Sequence, residues 1–130
     1  MPFDGFAKSN PELDHIGRII DLIDTPSKWC KGALRSHDGR YCIKGAIRHT
    51  ATAIDYTVLM EARVLRAMHE AGYRKFRRVE SFNDHPTRTH DEVIMVLERV
   101  QAEIAGAPLP TVAPPPSLLG RAVSYVRSFA

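Results

Sequence analysis

The sequence predicts a mainly α protein: a compact four-helix body with a short β-hairpin-like insertion, then a Pro-rich linker and a C-terminal amphipathic helix. Three observations predict it. Apolar residues recur at helical spacing over several long segments. Helix-start residues stand ahead of those segments, notably Asn10-Pro11 and Thr89 with Glu92. Five of the nine prolines crowd into residues 108–116, so the last quarter of the chain is built differently from the rest. At 130 residues there is chain for one core, which divides the sequence into a helical domain (1–104), a linker (105–116) and a tail helix (117–130).

The first helix opens on Asn10 as cap, Pro11 in the first turn, and Glu12 and Asp14 at the positive end of the helix dipole. Leu13, Ile16, Ile19, Ile20 and Ile23 share one arc, and Asp24-Thr25-Pro26 ends it. Asp38-Gly39 is a hairpin-type turn, although its flanks alternate poorly. Helix resumes near Cys42 and runs to about Ala53. The next helix is expected to be capped by Asp55 and to end at Gly72; Val58, Ala62, Val64, Leu65 and Met68 give it an apolar face wide enough to touch more than one neighbour. Residues 73–82 read as a basic, extended connection. Thr89 and Glu92 then form a capping box for a last core helix carrying Val93, Val96, Leu97, Val100 and Ile104. In the tail, Leu118, Leu119, Ala122, Val123, Tyr125, Val126, Phe129 and Ala130 fill one half of a helical wheel, and Arg121, Ser124, Arg127 and Ser128 the other.

Composition removes several classes. No charge-free stretch lacks helix-breaking proline over a membrane-spanning length, and Met1 to Asn10 has no apolar signal-peptide core, so a cytoplasmic chain with reduced thiols is expected. A Cys30–Cys42 disulfide stays open as the less ordinary alternative. The net charge of +3 is no argument for nucleic acid, but it conceals polarity, with +5 over residues 25–54.

Five features could carry function. Residues 28–35 (KWCKGALR) and 40–48 (RYCIKGAIR) form a near-repeat that presents Lys31, Arg35, Lys44 and Arg48. Cys42 stands at a helix start, where free N–H groups stabilise a thiolate; His37, His49, His85 or His90 could act as its base, with Asn83 or Asp84 orienting it. Cys30, Cys42, His37 and His49 offer soft and imidazole ligands, but their spacing fits no zinc pattern, and neither metal nor cofactor is expected. Arg74, Lys75, Arg77 and Arg78 interleave with Tyr73 and Phe76, a pattern able to neutralise phosphates while rings stack on bases; the acids that follow weigh against it. The tail helix needs a surface for Leu118, Leu119, Val123, Val126 and Phe129, supplied by its own body, a second copy or a foreign protein; two arginines are few for a membrane surface.

Trp29 with Gly32-Ala33, Cys42-x-x-Gly45-Ala46, and Phe82-Asn83-Asp84-x-Pro86-x-Arg88-Thr89 leading into Glu92-Val93 recur in that order. This resembles an uncharacterised domain-of-unknown-function family of small, mostly helical bacterial and phage proteins, over residues 11–104. Phe82 stands where that family tends to have Trp. The resemblance implies no activity, cofactor or partner. It directs attention to Asn83 and Asp84 as turn-forming residues and to Gly45, where a helical glycine implies a close approach, with Gly17 as the expected partner.

The favoured reading is a non-catalytic protein-binding or regulatory module, acting through the tail or the basic 28–48 face, with homo-oligomerisation through the tail an open option. The alternatives are a cysteine-dependent enzyme centred on Cys42, and a nucleic-acid-binding protein using residues 74–78.

Overall fold

A computed structural model describes residues 10–107; the expected tail helix and most of the linker lie outside the described residues. Five helices form the body: α1 (Pro11–Leu22), α2 (Ile43–Thr50), α3 (Ile54–Glu70), α4 (Val79–Asn83) and α5 (His90–Ala105), with a 3-10 turn at Pro26–Lys28. The longest helices, α1, α3 and α5, pack on one another, and α2 closes the bundle against α1 and α3.

The local sequence explains most of the helix ends. The Asn10 side chain accepts from the backbone N–H groups of Glu12 and Leu13, satisfying two of the orphan donors of α1. Thr89 and Glu92 close their capping box, and α5 stops where Gly106 turns left-handed. Helix α3 begins earlier than expected: Ala53 holds the cap position without a side-chain bond, and Asp55 instead sits in the first turn, where its charge meets the helix dipole.

The core gathers Ile16, Ile19 and Ile23 of α1, Ile43 and Ile47 of α2, Met60, Val64 and Met68 of α3, Phe82 of α4, and Val93, Val96, Leu97 and Val100 of α5. Burying each such side chain is worth about 1.5–3 kcal/mol, so the periodic positions supply most of the drive to fold. The expected apolar face of α3 changes. Its buried face is Thr57, Met60, Val64, Ala67 and Met68, whereas Val58 is 65% exposed. The wide apolar face therefore splits into a core side and an outward side.

Residues 73–82 are not wholly extended, because Val79 and Phe82, three apart, fold one helical turn that drops both into the core. Among the described residues the body thus has five helices where four were expected. The hairpin-like insertion is also corrected. Among the described residues there is no strand, only two isolated bridges, Trp29 with Tyr41 (parallel) and Arg35 with Tyr41 (antiparallel). The Asp38-Gly39 turn exists, with Gly39 at φ 87°. A ladder does not propagate from it because Gly32 turns the chain at φ 81° and the Leu34 carbonyl accepts from the Cys42 N–H of the α2 cap. One residue, Tyr41, is bridged from both sides, and a loop results.

Candidate functional site

The residues singled out in the sequence converge on one junction, where the 28–42 loop lies between α2 and α4. Its centre is the fully buried Asn83 at the end of α4. The Asn83 side-chain oxygen accepts from the Trp29 indole N–H (2.7 Å) and from the backbone N–H of Ile43 (3.1 Å). Its NH2 group donates to the Cys30 carbonyl (3.0 Å) and to the Asp84 carboxylate (2.9 Å). Both donors and both acceptor positions of the amide are engaged. Asp84 also accepts from the Gly32 N–H at 2.9 Å, and Lys31 Nζ donates to the carbonyls of His85 and Pro86 at 2.8 and 3.2 Å.

Gly45 supplies the matching contact from below. A Cβ there would lie 1.9 Å from the Leu34 carbonyl oxygen, so the loop rests directly on the α2 backbone. Gly17, the partner expected from sequence, has nothing within 4 Å of its own Cβ position. The close approach at Gly45 is real, but it is helix against loop.

Cys42 is the N-cap of α2, as its position in the sequence suggested, and its Sγ accepts from the Gly45 N–H at 3.3 Å. Burial nevertheless pushes its thiol pKa up, outweighing the N–H groups of Gly45 and Lys44 that would lower it. Burial pushes the Cys30 thiol up as well, and both cysteines are free. His49 lies against Tyr41, its Nδ1 3.3 Å from the Tyr41 hydroxyl. Asn83 spends its amide on the loop and Asp84 faces solvent at Gly32. The junction assembles Cys42, Asn83 and Asp84 in one neighbourhood, but as caps and ties. Among the described residues no group of three or more His, Cys, Asp or Glu could hold a metal ion.

The basic residues fall into two sets. Lys31, Lys44 and residues 74–78 surround α4. Lys31 is anchored on the His85 and Pro86 carbonyls, the His85 ring meets Phe76 edge-on at 5.5 Å between centroids, and Lys75 lies over the same Phe76. Lys44 and Arg78 share Glu80, at 3.0 and 4.0 Å. Burial alone would raise the Glu80 carboxyl; its own backbone N–H and Lys44 outweigh that and hold it below the ordinary carboxylate range. Arg74, Lys75, Arg77 and Arg78 are all exposed, and Lys75 and Arg77 meet no carboxylate among the described residues. The acids that follow this stretch give its four basic residues one long contact, Arg78 with Glu80. Arg35 and Arg48 belong elsewhere: Arg35 lies over the Tyr41 ring, and Arg48 is 3.9 Å from Glu61 of α3.

Arg88 is the functional-looking residue that sequence reasoning passed over as part of a motif. It is 7% exposed and lies over the rings of Tyr73, Phe76 and Phe82 at 4.7, 5.1 and 3.9 Å. Its Nε donates to the Phe82 carbonyl at 2.8 Å, and it pairs with Glu92 at 3.3 Å. The signals that could have found it are the i,i+4 spacing to Glu92 and the aromatics upstream. The consequence is that the Tyr73 and Phe76 rings are turned inward to a buried cation.

The remaining candidates, Leu118, Leu119, Val123, Val126 and Phe129, lie outside the described residues. Among the described residues no helix is long and apolar enough to cross a membrane. A family model described as "Family of unknown function (DUF6197)" matches residues 8–103. No curated protein and no solved structure matches.

Proposed function

The chain belongs to that family of unknown function, and we propose that it is a small non-catalytic module, acting in the cytoplasm, that binds an acidic protein surface through the basic rim of α4. The observation that carries this reading is the gathering of Lys31, Lys44, Arg74, Lys75, Arg77 and Arg78 around one short helix whose nearby carboxylates are Glu80 and Asp84. Glu80 is already shared by two cations, so the local field is positive. The inward-turned rings argue against the nucleic-acid alternative: Phe76 is taken up by Arg88, Phe82, His85 and Lys75, leaving no open face on which a base could stack. The cysteine-enzyme alternative loses support from the burial of Cys42 and its raised pKa.

Binding of the full chain to a labelled polyglutamate peptide, against a single-stranded oligonucleotide of equal charge, tests the reading. The peptide is expected to bind more tightly, and the double variant K75S/R77S to weaken it about fivefold, since two exposed charge contacts together contribute ~1 kcal/mol. An R48S control should bind as the parent does. Tighter oligonucleotide binding, or an unchanged double variant, overturns the proposal. Rapid alkylation of Cys42 at neutral pH would restore the enzyme reading.

A further inference from the structure

We infer that residues 117–130 of this same chain dock as a helix along the outward apolar row of α3. The row is Ile54, Val58, Ala62 and Leu65, spaced so that each stands on the same stripe of the helix. Ile54 is 74% and Val58 65% exposed, the two most exposed large apolar residues among those described. Ordinary surface scatter would not align them with Ala62 and Leu65. An open groove of about 650 Å³ lies at the N-terminal end of the row, lined by Ile54 and Val58 with Arg48, Ala51, Thr57 and Glu61 among its walls. Val58, Ala62 and Leu65 belong to the wide apolar face evident in the sequence; Leu65 is half-buried against the core, while Ile54 and Val58 stand uncovered among the described residues.

Length, reach, charge and area all favour the tail as occupant. From Ile54 to Leu65 the row extends ~17 Å, which a 14-residue helix, ~21 Å long at 1.5 Å per residue, covers from end to end. The chain leaves α5 close to α3, because Arg99 meets both Glu70, the last residue of α3, at 3.7 Å and Glu103, in the last turn of α5, at 3.8 Å. From there residues 107–116 span up to ~31 Å as an extended Pro-rich arm, enough to reach any point of the row. Asp55 and Glu61 edge the row on opposite sides, Glu61 shared with Arg48 at 3.9 Å, while Arg121 and Arg127 are the tail's charges and no acid accompanies them. Four side chains, one of them half-buried, make a small face beside the roughly 800 Å² per partner in a stable interface between separate molecules. A short tether removes that shortfall by holding its segment at an effective concentration on the order of millimolar. A second copy at ordinary concentration lacks this advantage.

The test is amide hydrogen exchange on the full chain at two protein concentrations, with V58E and A62E variants. Both side chains face solvent, so their replacement leaves the body folded, and the core amides of α1 and α5 serve as the internal check. The expected result is tail amides protected at least ~10-fold over an unstructured peptide, independent of concentration, with protection lost in both variants. Tail amides exchanging at the unstructured rate overturn the inference. So does protection that survives both variants, or protection that grows with protein concentration, which would make the occupant a second copy.

Discussion

Replacing Asn83 with alanine removes four hydrogen bonds at once and tests whether the junction is a structural tie. Three of the lost partners are shielded from water: the Trp29 indole N–H, the Ile43 N–H at the start of α2, and the Cys30 carbonyl. The fourth, Asp84, faces solvent, where water can replace the amide. Leaving a buried polar group unsatisfied costs about 1–3 kcal/mol, so three such groups set a loss of at least ~3 kcal/mol before any packing defect is counted. That is a large fraction of the 5–15 kcal/mol typical of a domain. Urea denaturation followed by circular dichroism reads it as a midpoint lowered by ~2 M, taking a slope of about 1.5 kcal/mol/M. Trp29 is the sole tryptophan, and its indole is one of the orphaned donors, so its fluorescence should also shift in the folded variant. A W29F/N83A double-mutant cycle should give a coupling of about 1 kcal/mol. A loss below ~1 kcal/mol, or no coupling, would refute the tie and reopen Asn83 as a residue kept for chemistry.

Two glycines and one histidine give further predictions. Gly45→Ala drives a methyl into the Leu34 carbonyl and should cost about 1–3 kcal/mol in thermal or chemical denaturation, whereas Gly17→Ala, with open space around it, should stabilise by up to ~1 kcal/mol. Burial of His15 pushes its pKa below the ordinary 6.5; Arg18 adds to this, and the Ile47 carbonyl and Asp14 oppose it. The folded state therefore binds fewer protons than the unfolded one, so stability is whole above about pH 6.5 and falls as the pH drops below it. A His15→Gln variant, which can still donate to the Ile47 carbonyl, should lose less stability between pH 7 and pH 5 than the parent, and equal losses would contradict the assignment.

What was legible in the sequence was local. Asn10, Thr89 with Glu92, and the isoleucines of α1 act within a few residues of themselves, and the structure uses them as a reader of the chain expects. Gly45 was half legible: its cost inside a helix implies a close neighbour, but no local rule names Leu34 as that neighbour. Helix α4 was hidden because one turn is too short to display a period, and the basic residues before it suggested solvent. Asn83 illustrates the deeper limit. Its partners Trp29, Cys30 and Ile43 lie 40 to 54 positions away, and an amide able to make four bonds looks the same in sequence whether it makes them in a core or in water. Arg88 was masked in the same way, since the three rings beneath it are brought together only by the turn of α4.

The tie at Asn83 and the basic rim are linked through Lys31. A lysine on a mobile loop would lose most of its binding contribution to the entropy of being fixed. Here the loop is pinned at Cys30 by Asn83 and at Gly32 by Asp84, and the ammonium is held on two carbonyls. That cost is met on folding rather than on binding. The same holds for Lys44, held on Glu80 from the rigid helix α2. In contrast, Lys75 and Arg77 are exposed and have no hydrogen bond or ion pair of this kind among the described residues, Lys75 only lying over the Phe76 ring. The rim therefore combines fixed charges with adaptable ones, and the two should respond differently to the Asn83→Ala change. If loop anchoring matters for recognition, that variant should lose the Lys31 share of polyglutamate binding while the Lys75 and Arg77 share persists. Binding measured in N83A and in N83A/K31S should then be the same, whereas K31S alone should weaken the parent. Equal weakening by K31S in both backgrounds would show that Lys31 acts as a charge alone, and that the tie serves only the fold.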